Sequence, residues 1–241
     1  MRKSKKVIAL LATFFALVAP TTYAQVSQDV IDMTDRGWYD RAGHHGASNQ
    51  NTITGPGYHN DTNSFFLFDL SSIQAGVCSA TLRLEMENWN AGSTTGESSI
   101  WDVSTDPAIL VQSHDTDDPE GIAITIDLET GANYANKTVF QTDVGSVLEF
   151  PLSPQAVSDI NAAAGSMFAV GTHLTAVNQD TWLRWSGGEE VRVHQLVLDS
   201  GPDCGVIQPV VPVPIPASAW AIIATLMLLF GVVSLRRARR H

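Results

Sequence analysis

Cysteine and positive charge are both scarce in this chain. Its 241 residues hold two cysteines, Cys78 and Cys204. No histidine neighbours either thiol, so a metal site built on the pair is the weaker reading and a single disulfide between them the stronger. Lys and Arg number 14 against 25 Asp and Glu. Eight of those cations sit at the two ends, as Arg2, Lys3, Lys5 and Lys6 and as Arg236, Arg237, Arg239 and Arg240. The stretch from Asp29 to Asp203 therefore keeps six cations against all 25 anions, a formal balance near −19. A field of that sign repels phosphate backbones and anionic lipid headgroups, which argues against nucleic acid as a partner. Cations are its natural counterparts, and solubility outside the cell is its plainest consequence. No repeat of 20 to 50 residues is present, which removes solenoids and propellers. No H-x-x-x-H or H-E-x-x-H spacing places two metal ligands on one face, and no G-x-S-x-G elbow offers a serine nucleophile.

The ends are where the chain is richest in signals. Four cations lead into an uncharged apolar stretch from Val7 to Val18 and then the small-residue exit Thr22-Tyr23-Ala24, the order of a secretory signal peptide over 1–24 with a mature start at Gln25. At the far end, Gly205 to Pro216 alternates proline with Val and Ile, a spacer that favours polyproline II. Residues 217–235 are uncharged and mostly apolar, and about 19 residues at 1.5 Å each give roughly 28 Å, enough to cross a bilayer as a helix. The Arg cluster of 236–241 then fixes the tail in the cytoplasm and the preceding domain outside it.

Between these ends the pattern is period two. In Thr81 to Met86, Leu82, Leu84 and Met86 share one face and Thr81, Arg83 and Glu85 the other, which predicts a strand with one side in the core. The same alternation predicts strands at Ile122 to Leu128, with Ile122, Ile124, Ile126 and Leu128 inward, and at Val147 to Leu152. Further strands are expected at Val30–Met33, Phe65–Leu70, Ser99–Val103, Thr138–Gln141, Met167–His173, Thr181–Trp185 and Val191–Leu198. One helix is signalled, with Ser153 as cap, Pro154 at the first position and Gly165 beyond the end. About ten short antiparallel strands with one short helix predict an all-β fold over 25–204, a two-sheet antiparallel β-sandwich of jelly-roll-like type.

The tail Val213-Pro214-Ile215-Pro216-Ala217, followed by an apolar span and Arg236, Arg237, Arg239 and Arg240, resembles the PEP-CTERM sorting signals processed by exosortases in Gram-negative bacteria, in their V-P-x-P-A variant. Ile215 replaces the acidic residue usual between the two prolines. The resemblance implies a signal peptidase and an exosortase-like enzyme as processing partners, an inner-membrane precursor held by its C-terminal helix, and a final place at the cell surface or outside the cell. The central part is similar to a recurrent sandwich domain of such proteins, through Arg36 to Asp40, Asn63 to Ser71, Ser79 to Leu84, Trp101 to Thr105 and His194 to Leu198. That similarity implies location and fold and no catalytic activity.

Four features are candidate chemistry. His44, His45 and His59, with Asp40 and Asp61 nearby, compose a transition-metal donor set in a polar, Gly-rich loop, and they are the sole basis for a metal-dependent hydrolase. Asp115, Asp117, Asp118 and Glu120, ahead of Gly121, crowd hard oxygen ligands as calcium requires, although Ile126 stands where a calcium loop carries its bidentate Glu; otherwise they are a solvated acidic turn and no cofactor is expected. Trp38, Trp89, Trp101, Trp182 and Trp185 are aromatics of the kind sugar-binding sandwiches use. Trp182 and Trp185 are three apart, so Trp185 with Leu183 is expected in the core and Trp182 with Arg184 outside, while Trp89 has loop-like neighbours in Asn88 and Asn90. The expected function is a non-enzymatic cell-surface or extracellular-matrix structural or interaction protein. The alternative is a carbohydrate-binding module for the cell's own exopolysaccharide. The fourth feature is the pair Cys78 and Cys204, whose bridge would close a loop of about 127 residues and stabilise the fold by roughly 4 to 5 kcal/mol.

Overall fold

A computed structural model describes residues 27–201 apart from positions 60, 75, 91, 177 and 188–191. The expected signal peptide, Cys204, the Pro-rich stretch with the expected sorting motif, the apolar run and the Arg cluster lie outside the described residues. The chain divides into two compact units, 1–205 and 206–241, and every described residue belongs to the first. No described helix is long and apolar enough to cross a membrane.

The described residues hold eleven strands: β1 (Ser27–Asp40), β2 (Thr52–Thr54), β3 (Thr62–Asp69), β4 (Val77–Glu85), β5 (Asn88–Asn90), β6 (Thr95–Asp102), β7 (Asn133–Phe140), β8 (Val147–Pro151), β9 (Met167–Thr175), β10 (Trp182–Ser186) and β11 (His194–Ser200). All strand pairs are antiparallel, and eight strands follow one another in the order β7-β6-β9-β3-β1-β11-β4-β8. β1 joins the two halves of this ladder. Its first part, Ser27 to Asp32, pairs with β11, and its second part, Met33 to Asp40, pairs with β3, with an irregularity between Met33 and Asp35.

The ladder is not flat. In a flat sheet β4 and β9, four steps apart, would be separated by about 19 Å at 4.8 Å per step, beyond any side-chain contact. Yet Leu82 and Leu84 of β4, Leu196 and Leu198 of β11 and Phe150 of β8 share one buried cluster with Phe66 and Phe68 of β3 and Val170 of β9. The two halves therefore face each other as the layers of a sandwich, with β1 turning the corner at its bulge. A small sheet, β2-β10-β5, completes the second layer by placing Leu183 and Trp89 in the same cluster. Thr54 of β2 meets Ser64 of β3 and Thr172 of β9 through hydroxyl hydrogen bonds of 3.0 and 2.9 Å.

The expected alternation in β4 is observed, since Leu82 and Leu84 are fully buried and Arg83 and Glu85 are half-exposed. The segment Ile122 to Leu128 departs from expectation: it is helix, not strand. Three α-helices are present among the described residues, α1 (Pro107–Leu110), α2 (Pro119–Asp127) and α3 (Pro154–Ala162), where only the last was expected. Each begins with a capping side chain followed by proline: Asp106-Pro107, Asp118-Pro119 and Ser153-Pro154. Every second residue from Ile122 to Leu128 is apolar, which mimics a strand. On the helix only Ile124 and Leu128, four apart, reach the core, while Ile126 is 47% exposed. Ile124 and Leu128, with Leu110 of α1, cover Tyr39, Phe65, Leu67 and Ala169 on the outer face of the first layer. That cover explains why Thr62 to Phe68 of β3 is buried throughout instead of alternating.

Candidate functional site

The three loop histidines do not converge on one point. His45 is buried, its Nδ1 donates to the Trp38 carbonyl at 2.9 Å, and its ring stacks on Tyr39 at 4.6 Å. Burial pushes its pKa down, against the opposing effect of that hydrogen bond. His44 and His59 instead lie against the Trp38 ring, at 5.9 and 5.5 Å between centroids. The acidic loop acts as the start of α2. One Asp118 oxygen accepts from the Glu120 backbone N–H at 3.1 Å and the other bonds His114 Nδ1 at 2.7 Å, and the His114 bond holds its carboxyl below the usual carboxylate range. Asp117 takes a left-handed backbone with φ 67 and donates its N–H to the Ala42 carbonyl. Neither the histidines nor Asp115, Asp117, Asp118 and Glu120 bring three ligand atoms together among the described residues.

A charged cluster that no sequence spacing announces lies at the outer face of the first layer. Arg41 spans two carboxylates, with Nε and Nη2 donating to Asp61 Oδ2 at 3.2 and 2.9 Å and Nη1 and Nη2 donating to Glu129. Glu129 also accepts from Asn63 Nδ2 at 3.1 Å and pairs with His173 Nδ1 at 3.0 Å. Burial alone would raise the Glu129 carboxyl, but the hydrogen bonds from His173 and Asn63 and the charges of His173 and Arg41 outweigh it and bring its pKa down to about 2. Asp61, Glu129 and His173 hold ligand atoms within 4.8 Å of one another, the spacing a cation needs. The Arg41 guanidinium, however, already bridges both carboxylates. The cluster therefore works as a clamp between the end of β1, the entry to β3, the exit of α2 and β9. Its residues are scattered from position 41 to 173, so only folding gathers them.

The tryptophans separate as follows. Trp185 and Leu183 are fully buried, and Trp182 and Arg184 are half-exposed on the opposite face of β10, as the three-residue spacing requires. Trp89 corrects the expectation of an open platform: it is buried in the core, and its Nε1 donates to the Ser93 carbonyl at 2.7 Å. Trp38 is buried as well, and Trp101 is half-exposed at the end of β6. A chain of rings links Trp38 to the small sheet. His59 stacks on Trp38 with an interplanar angle of 19°, Tyr58 meets His59 edge-on at 4.3 Å, and Tyr58 meets Trp182 edge-on at 5.4 Å. Across the β10–β5 ladder Trp182 stands opposite Asn90 and Arg184 opposite Asn88, and both asparagines are exposed. The Arg184 guanidinium is held by Glu87 at 2.7 Å.

No protein-family model matches this chain, and no curated protein matches it. Among solved structures it is similar to the CBM22-1–GH10 modules of the Clostridium thermocellum N-terminal endo-1,4-β-D-xylanase 10B complexed with xylohexaose, at 10% identity over 73% of this chain and 29% of that one. The TM-score is 0.28, a likeness too slight to bear on fold or activity.

Proposed function

We propose that the chain is an exported, surface-displayed interaction protein whose jelly-roll-like sandwich acts by binding and not by catalysis. Delivery rests on the two ends, a signal peptide over 1–24 and the Val213-Pro214-Ile215-Pro216-Ala217 signal ahead of an apolar span and an Arg cluster. The observation that carries the mode of action is a contrast between the two clusters. The carboxylates, imidazole and guanidinium around Glu129 pair with one another, which leaves no poised acid, base or nucleophile there. The rings of Tyr58, His59 and Trp182 instead stay partly open to solvent beside exposed amides. Open aromatics next to polar side chains are the composition of a recognition surface.

Intact mass and surface labelling of the protein made by cells that carry the sorting machinery test the delivery. The expected product begins at Gln25, lacks the span and Arg236 to Arg240, and is labelled on intact cells. A product that retains Met1 and His241 and is labelled only after lysis overturns the reading.

A further inference from the structure

We infer that the solvent face of the small sheet, centred on Trp182 and Asn90, is the binding site for an uncharged polysaccharide. The inference rests on the reading of the domain as a binding protein. A sugar ring offers a C–H face that packs on a π surface and a rim of hydroxyls that need donors and acceptors. Both requirements meet at one place on this molecule. Trp182 is half-exposed on the outer face of β10, and its edge contact with Tyr58, itself set against His59 and Trp38, fixes the indole in one pose. A ring already immobilised gives up little freedom on binding. Directly opposite residues of an antiparallel pair have Cβ atoms about 5 Å apart on the same face, so the Asn90 amide lies beside Trp182 and the Asn88 amide beside Arg184. Both asparagines are exposed, and each amide has donor and acceptor capacity toward hydroxyls.

Charge selects the class of glycan. Arg184 is already paired with Glu87, so this face offers an anionic chain no unpaired cation. The domain around it is acidic, near −19 between Asp29 and Asp203, and repels polyanions. Shape selects a polymer: three strands side by side give an open face about 10 Å across, over which a chain can lie, whereas a small molecule would need enclosure.

The test is retardation of the full-length protein, in detergent, through gels containing an uncharged polysaccharide (arabinoxylan, galactomannan or mixed-linkage glucan) or a polyanionic one (alginate). Retardation by at least one uncharged polysaccharide and not by alginate is expected. Trp182→Ala and Asn90→Ala should each weaken it by about tenfold, equivalent to about 1.4 kcal/mol, and Trp101→Ala should leave it unchanged. Asn90 is an exposed side chain, so its variant keeps the test decisive should Trp182→Ala melt lower. Binding that survives both substitutions overturns the assignment of the face, and retardation by alginate alone overturns the ligand class. If the parent ignores every polysaccharide yet still adheres to producing cells stripped of exopolysaccharide, the glycan assignment falls and the binding-protein reading stands. Failure in both assays overturns both.

Discussion

Acidification from pH 7 to pH 5 should weaken the fold through His194. This side chain is 2% exposed, its Nε2 faces the Trp185 carbonyl at 3.2 Å, and its Nδ1 is buried without a partner. A carbonyl can only accept, so the proton resides on Nε2, and a second proton would bring a charge and an unpaired N–H into the core. Burial, followed by the neighbouring Arg36 charge, lowers the pKa from 6.5 to about 4. A base whose pKa is depressed in the fold binds its proton more readily in the unfolded chain, so stability is complete above 6.5 and declines as pH falls toward 4. At about 1.4 kcal/mol per pH unit, the loss between pH 7 and pH 5 is about 2 kcal/mol, rising to roughly 3 below pH 4. Burial lowers His45 in the same direction and adds to the loss. Urea unfolding at the two pH values measures the loss. His194→Gln keeps an amide donor for the Trp185 carbonyl and cannot titrate, so it should lose about 2 kcal/mol less than the parent. A parent equally stable at both pH values, or a variant that declines as steeply, refutes the argument.

Gly121→Ala would place a Cβ 2.0 Å from the Gly43 carbonyl oxygen, a clash of backbone against backbone where α2 sits on the loop after β1. It should cost about 3 kcal/mol in urea unfolding, and an unchanged midpoint would show that this seat yields. Asp118→Ala removes both the α2 cap and the partner of His114 and should cost about 1 kcal/mol. Asp118→Asn retains an oxygen for the Glu120 N–H and should cost less, so equal losses would argue that the cap is not the cause. The exposed Cys78 lies in β4, where Val77 pairs with Ser200 and the Gly201 N–H reaches the Gly76 carbonyl at 3.2 Å. A bridge to Cys204 would hold this junction, and Cys204→Ser should then lower stability by roughly 2 to 5 kcal/mol. Two thiols titrated in the denatured, unreduced protein would refute it.

Glu129→Gln removes the anion that His173 and Arg41 share. Since its carboxyl is held at about 2, the stability it adds is present above pH 4.5 and lost as pH falls toward 2. The variant should therefore be less stable than the parent at pH 7 and converge with it near pH 2, and a constant difference across that range would tie the effect to packing alone.

What was legible in the sequence alone were the features that depend on a few neighbouring residues. The inward Leu82 and Leu84 against the outward Arg83 and Glu85, the buried Trp185 against the half-open Trp182, and the Ser153-Pro154 helix start all follow from the two-residue pleat or from a local cap. The strand expected at Ile122 to Leu128 failed because the same apolar alternation serves a helix once Asp118 caps it and α2 has Phe65 and Leu67 to cover. Local signals were ambiguous there, and burial against residues about 60 positions away decided between them. Trp89 reads as a loop residue between two asparagines, yet β5 pairs with β10 and turns its indole into the core. The clamp of Arg41, Asp61, Asn63, Glu129 and His173, and the meeting of Tyr58 with Trp182, exist only because β1 divides its pairing between β11 and β3 and folds one ladder into two facing layers. Periodicity in a chain records which face of a strand is buried; which distant strand lies across from it is set by the pairing of the whole sheet.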